Sequence, residues 1–213
     1  MSTALIRGRR LRALGVAAAV VLLAGGCAAG THPGAAAVVG KTEISVGDLD
    51  KTSRAVTTAL GQDFTTSVTL NEMVNNALVA QIRQRRSITV SDAETAAAAH
   101  LVVSDAASFQ KFQENAISRD FLNQVAAAAV TTIKLGGGAG IDDPAAQQKQ
   151  QAGMAAVKDA SKSIKVTIAP RFGQWTDGAI DGKVSGSLSQ ESDQAKAKRE
   201  AAEAQQQQQQ GQG

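Results

Sequence analysis

This chain carries few of the residues from which catalytic or metal sites are built. Its single cysteine, Cys27, excludes a disulfide within the chain, so the core must hold by packing alone. Two histidines, His32 and His100, are too few and too isolated for a metal cluster. There is no tyrosine, one tryptophan (Trp175) and five phenylalanines in 213 residues, so most of the aromatic surface has to serve the core. Alanine dominates instead, bringing high helix propensity and little buried area. The composition predicts a mainly helical, closely packed protein of moderate stability.

An excess of one charge sign is also missing. Four of the 22 basic residues and none of the 19 acidic ones lie in residues 1–26, so the formal charge of +3 becomes −1 for the remainder. Without a basic patch, nothing points to nucleic acid. What the first segment does contain is ordered. Arg7, Arg9, Arg10 and Arg12 precede a short apolar run, residues 16–23, and Ala24-Gly25-Gly26-Cys27 follows. That order predicts an export signal cleaved after Gly26. A membrane span needs about 20 apolar residues, and Gly25, Gly26, Gly30 and His32-Pro33 stop this run short. Arg9-Arg10 raises the twin-arginine route, but Leu11-Arg12 fits the general route better.

The segment resembles the lipobox of bacterial lipoproteins, which implies diacylglycerylation and acylation (palmitate) of Cys27 as the new N-terminus and membrane attachment outside the cytoplasm. A plain cleaved signal with an incidental cysteine is the other reading. The expected organisation is then a signal over 1–26, a small-residue linker over 27–35, a helical domain over 36–178 and a disordered low-complexity tail over 179–213. The tail turns to Gly, Ser, Ala, Lys, Glu and Gln, has a run of six glutamines near its end, and cannot bury enough apolar surface to offset its ordering entropy.

Within the domain, Ala36–Val39 and Thr42–Ile44 read as short extended pieces around a Gly40-Lys41 turn. Ser45-Val46-Gly47-Asp48 has capping-box spacing and predicts a helix to about Leu60, ended by Gly61. Thr69-Leu70-Asn71-Glu72 predicts the start of a second, with Leu70, Met73, Val74, Ala77, Leu78 and Ile82 at helical spacing and Arg83–Arg86 at its end. Ser91-Asp92-Ala93-Glu94 opens a third, Phe109 and Phe112 mark a fourth, and a fifth is expected over Ser118–Leu135. Asp143-Pro144 predicts an N-cap with proline in the first turn of a sixth helix. Ile164–Ile168 alternates with period two, a strand with one apolar face.

The opening Val38-Val39-Gly40-Lys41-Thr42-Glu43-Ile44-Ser45-Val46, the middle Ile88-Thr89-Val90-Ser91-Asp92-Ala93-Glu94 and the closing Pro170-Arg171-Phe172-Gly173-Gln174-Trp175 together carry a family likeness. Residues 36–178 resemble the N-terminal, SurA-like domain of extracytoplasmic chaperones and peptidyl-prolyl isomerases, with Gly40-Lys41 where the family commonly has Asn-Gly. The resemblance implies a first strand paired with one from the end of the module and helices between them. SurA itself carries parvulin domains after this module; the roughly 35 low-complexity residues after Asp177 leave no room for one, so a non-enzyme is expected.

The other motifs have structural readings. Asp142-Asp143 suits a helix cap better than a pair of acid/base carboxylates. Gly136-Gly137-Gly138-Ala139-Gly140 follows a helix and lacks the Lys-Ser/Thr of a P-loop, so it reads as a connection. Phe109, Phe112, Phe172 and Trp175 are the candidates to line a peptide groove. No metal and no cofactor beyond the lipid on Cys27 is expected. The expected role is a membrane-anchored, chaperone-like binder of exported or unfolded polypeptides; the alternative is a dedicated subunit docking on one cell-envelope protein, and an isomerase comes third.

Overall fold

Both ends of the domain meet in one sheet. The computed structural model describes residues 31–183, so the predicted signal, the Gly26–Cys27 junction, the start of the linker and the Gln-rich end lie outside the described residues. Strand β1 (Ala35–Val39) is the middle of an antiparallel sheet ordered β2-β1-β3, between β2 (Thr42–Ser45) and β3 (Val166–Ile168). Val39 pairs with Thr42 across the Gly40-Lys41 turn and with Val166 on the other side. Ala36, Ala37 and Val39 are wholly buried. Small side chains on a central strand let a helix approach closely.

That helix is α2 (Thr66–Arg85), whose Leu70, Val74, Leu78 and Ile82 close a first core with Ile44, Leu49, Ile164 and Ile168. A second core gathers Val56 and Ala59 from α1 (Val46–Leu60), Ala98 and Ala99 from α3 (Asp92–Val102), Phe112 from α4 (Ala106–Glu114), and Phe121, Leu122, Ala126 and Val130 from α5 (Ala116–Leu135). Met73 packs against both. The sixth helix, α6 (Ala146–Ser161), lies along α5. The protein is therefore mainly helical with small antiparallel sheets.

The caps explain most boundaries. The Ser45 hydroxyl accepts the Asp48 N–H at 3.0 Å, while the Asp48 carboxylate accepts the Ser45 hydroxyl, not a backbone donor. Gly61, at φ 67°, ends α1 in the left-handed conformation. Ser91 and Glu94 form a complete capping box on α3. Three expected starts move. Helix α2 begins at Thr66, capped by Thr65, because the extra turn sets Thr69 in the core, where its hydroxyl donates to the Thr65 carbonyl at 2.9 Å. Helix α5 begins at Ala116, with the Asn115 side chain accepting the Ile117 N–H. Asp143 does not cap α6: it closes the preceding turn, accepting from the Ala139 and Ala145 N–H groups. Pro144 lies in that turn, and α6 starts at Ala146 behind Ala145, which has no side-chain cap.

The domain also runs past its expected end. Residues 179–181, assigned above to the tail, form β5 (Ala179–Asp181) in a hairpin with β4 (Gln174–Thr176). Asp177 (φ 52°) and Gly178 (φ 93°) both take positive φ in the two-residue turn. Asp-Gly between short extended runs is the signal for this turn. At the other end, Ala35 of the predicted linker already belongs to β1.

One polar tie joins α3 to α5. Glu94 pairs with Lys134 at 2.6 Å while also accepting the Ser91 N–H at 2.9 Å. The hydrogen bond from Lys134, then those from Ser91, hold the Glu94 carboxyl down at about 2 from an ordinary 4.5. A depressed carboxylate contributes stability above its unfolded value and loses it as the pH falls through the folded one. The melting temperature should therefore drop between pH 4.5 and 2 by less in Glu94→Gln than in the parent. Equal acid slopes in thermal melts would show that the pair contributes nothing.

Candidate functional site

The four aromatic candidates divide between the two cores. Phe112 is buried in the second core, and Phe109, half-buried beside it, stacks on the His100 ring at 3.9 Å between centroids. Phe172 and Trp175 are half-buried against the first core, Phe172 beneath the Arg171 guanidinium at 4.9 Å. Phe112 and Trp175 nonetheless each border one of two adjoining grooves, whereas Phe109 borders a separate hollow beside α3. His32 is exposed before β1. Among the described residues no group of three His, Cys, Asp or Glu side chains could hold a metal, and no helix is long and apolar enough to cross a membrane.

The concave surface lies across the crossing of α2 and α5. An apolar groove of roughly 250 Å³ opens between α1, α2 and α5, lined by Leu60, Phe64, Val68, Val102, Phe121 and Val125. A second, of roughly 360 Å³, continues toward α6 and the β4–β5 turn past Asn75, Met154 and Trp175. Glu72 and Val125 belong to both, so the two run into one another. Their rim keeps large apolar side chains in water: Val68 is 46% exposed, Val102 45% and Met154 54%. Apolar groups left on a groove edge are what a shallow binding surface presents.

Two polar groups interrupt this surface. Burial pushes the Glu72 carboxyl up from its ordinary value, and no cation pairs with it among the described residues. Asn76, one turn later on α2, is 6% exposed, and its Nδ2 has no hydrogen-bond partner. An unpaired buried donor costs about 1–3 kcal/mol, which a carbonyl brought in by a ligand would recover. Asn76 also borders a third concavity of roughly 290 Å³ on the far side of α2, between β2 and α5.

Of these surfaces the sequence marks only Phe112 and Trp175, because the rest comes from segments far apart in the chain. The one local signal was the Asn75-Asn76 pair within the apolar stripe of α2. Comparison with known protein families, curated proteins and solved structures finds no match for this chain.

Proposed function

We propose that this protein is an extracytoplasmic lipoprotein, anchored through acyl chains on Cys27, that binds exported or unfolded polypeptides without catalysis, on a domain of SurA N-terminal type. The observation that carries the polypeptide reading is the continuous apolar groove joined at Glu72 and Val125, with exposed Val68, Val102 and Met154 on its rim. Such a surface makes many shallow contacts, suited to weak, fast capture of varied apolar segments. Two strands from opposite ends of the domain, closed over helices, agree with the arrangement the family resemblance implies. The Arg-rich start, short apolar run and Gly-Gly-Cys order support the anchor.

The mature chain should delay aggregation of an unfolded client at near-stoichiometric ratio. Val125→Glu sets a second carboxylate beside Glu72 at the junction of the grooves and should abolish the delay, with the thermal transition kept as a control. A delay unchanged in Val125→Glu would remove the groove from the reading. A single stoichiometric partner in a crosslinking pulldown, with no delay for any client, would favour the dedicated-subunit role. The anchor is tested separately: Cys27→Ser should release the protein from the membrane, since each buried methylene is worth about 0.8 kcal/mol. A mature N-terminus at any residue but a lipidated Cys27, read by mass spectrometry, would sink that assignment.

A further inference from the structure

We infer that the outer edge of β2 and the concavity beside it form a strand-addition site for an extended segment of another polypeptide. The site is separate from the groove at Glu72 and Val125, and the inference does not rest on the chaperone reading. Strand β2 lies at the edge of its sheet, and among the described residues no strand pairs beyond it. Its free backbone groups can be assigned. On β1, the Gly40 N–H donates to the Lys165 carbonyl at 2.8 Å, and the Ala36 carbonyl accepts the Ala169 N–H at 2.8 Å, so even-numbered residues face β3. Odd-numbered Val39 and Ala37 therefore face β2, opposite Thr42 and Ile44. In an antiparallel ladder the intervening residue turns its groups the other way. The N–H and C=O of Glu43 thus point out of the sheet.

Beside that edge is the concavity of roughly 290 Å³, floored by Met73, Ala77 and Ala80 of α2, with Ile44 on one wall and Ala127 and Ala128 of α5 on the other. The floor and far wall are mostly alanine, which leaves depth for side chains of an added strand. Asn76 of α2, whose buried Nδ2 lacks an acceptor, also borders the concavity. Main-chain pairing with alternate side chains in a pocket is the physics of strand addition.

Charge selects the occupant. Asp48 and Glu43 are exposed and unpaired with any cation among the described residues, and Asp48 lies beyond the Ser45 end of β2. Arg83 borders the concavity near the other end, two residues after Gln81, whose Nε2 donates to Val39 and Thr42. An antiparallel segment that fits has a basic residue first, apolar residues opposite Ile44 and Thr42, and an acidic residue last. The Gln-rich end of this chain has the wrong chemistry for the alanine-lined floor.

The test uses the mature chain and the peptide fluorescein–Gly-Lys-Val-Thr-Val-Glu-amide, followed by fluorescence anisotropy. Saturable binding is expected, weakened about tenfold when the central threonine of the peptide is N-methylated. Glu43→Pro should weaken it by about as much, because it deletes the outward N–H and no ladder bond. Exposed Ala80→Trp should block the site by filling it, and Val125→Glu should leave binding unchanged. Binding that ignores N-methylation, Glu43→Pro and Ala80→Trp alike would overturn the inference, as would no saturation. Binding seen only after removal of residues 184–213 would assign the concavity to the chain's own end and overturn it too.

Discussion

Replacing Gly153 with alanine lowers the melting temperature of this protein, against the usual direction for such a change. Alanine in a helix interior is normally favoured over glycine by about 1 kcal/mol. Here a Cβ built on Gly153 of α6 would overlap the carbonyl oxygen of Thr132 on α5, and one on Gly136 would overlap the Lys149 carbonyl. Both obstacles are backbone, which cannot swing aside like a flexible side chain. Overpacking typically costs about 1–3 kcal/mol and occasionally more; two rigid helices in contact put this site at the upper end. At about 2–4 °C per kcal/mol for a protein of this size, the fall should reach several degrees, larger for Gly153→Val. A rise in melting temperature on Gly153→Ala would show that α6 does not approach α5 this closely.

The largest effect is expected from cutting the chain after Ser163. That removes β3, the Phe172 turn and the β4–β5 hairpin, and with them Ile164, Ile168, Phe172, Trp175 and Ile180 from the first core. It also strips β1 of one of its two partners. Loss of a buried Ile costs about 2–5 kcal/mol, and of Phe or Trp about 3–5. Even halved for the half-buried rings, the total is comparable to the roughly 5–15 kcal/mol available to a domain. No cooperative thermal transition should survive, whereas removing residues 184–213 should leave one. A sharp transition in the shorter chain would mean that the helices stand without the sheet.

The helices were legible because their signals are local. Ser91-x-x-Glu94 predicts both the start of α3 and its cap bonds, and the Leu70–Ile82 stripe predicts the buried face of α2. Where several hydroxyls compete, as from Thr65 to Thr69, sequence alone does not say which becomes the cap, because burial of Thr69 decides it. The β4–β5 hairpin is also legible, in Asp177-Gly178 between two short extended runs. The grooves were not, since Glu72, Val125 and Glu43 acquire their surroundings from elements far apart. The aromatics serve two purposes at once: rings are the largest apolar side chains, and Phe112 and Trp175 each border a groove from the core that holds them.

The pairing of β1 with β3 also sets an order of events during synthesis. Val39 and Val166 stand opposite each other in the sheet across almost the whole length of the domain. While the chain emerges from a ribosome, the β1–β2 hairpin has no third strand, and the sheet edge of Ala36 stays open until residues 166–168 are released. Contacts of such separation make folding late and slow. The nascent chain therefore stays incompletely folded for most of its synthesis, and it completes its fold only as its last structured residues come free.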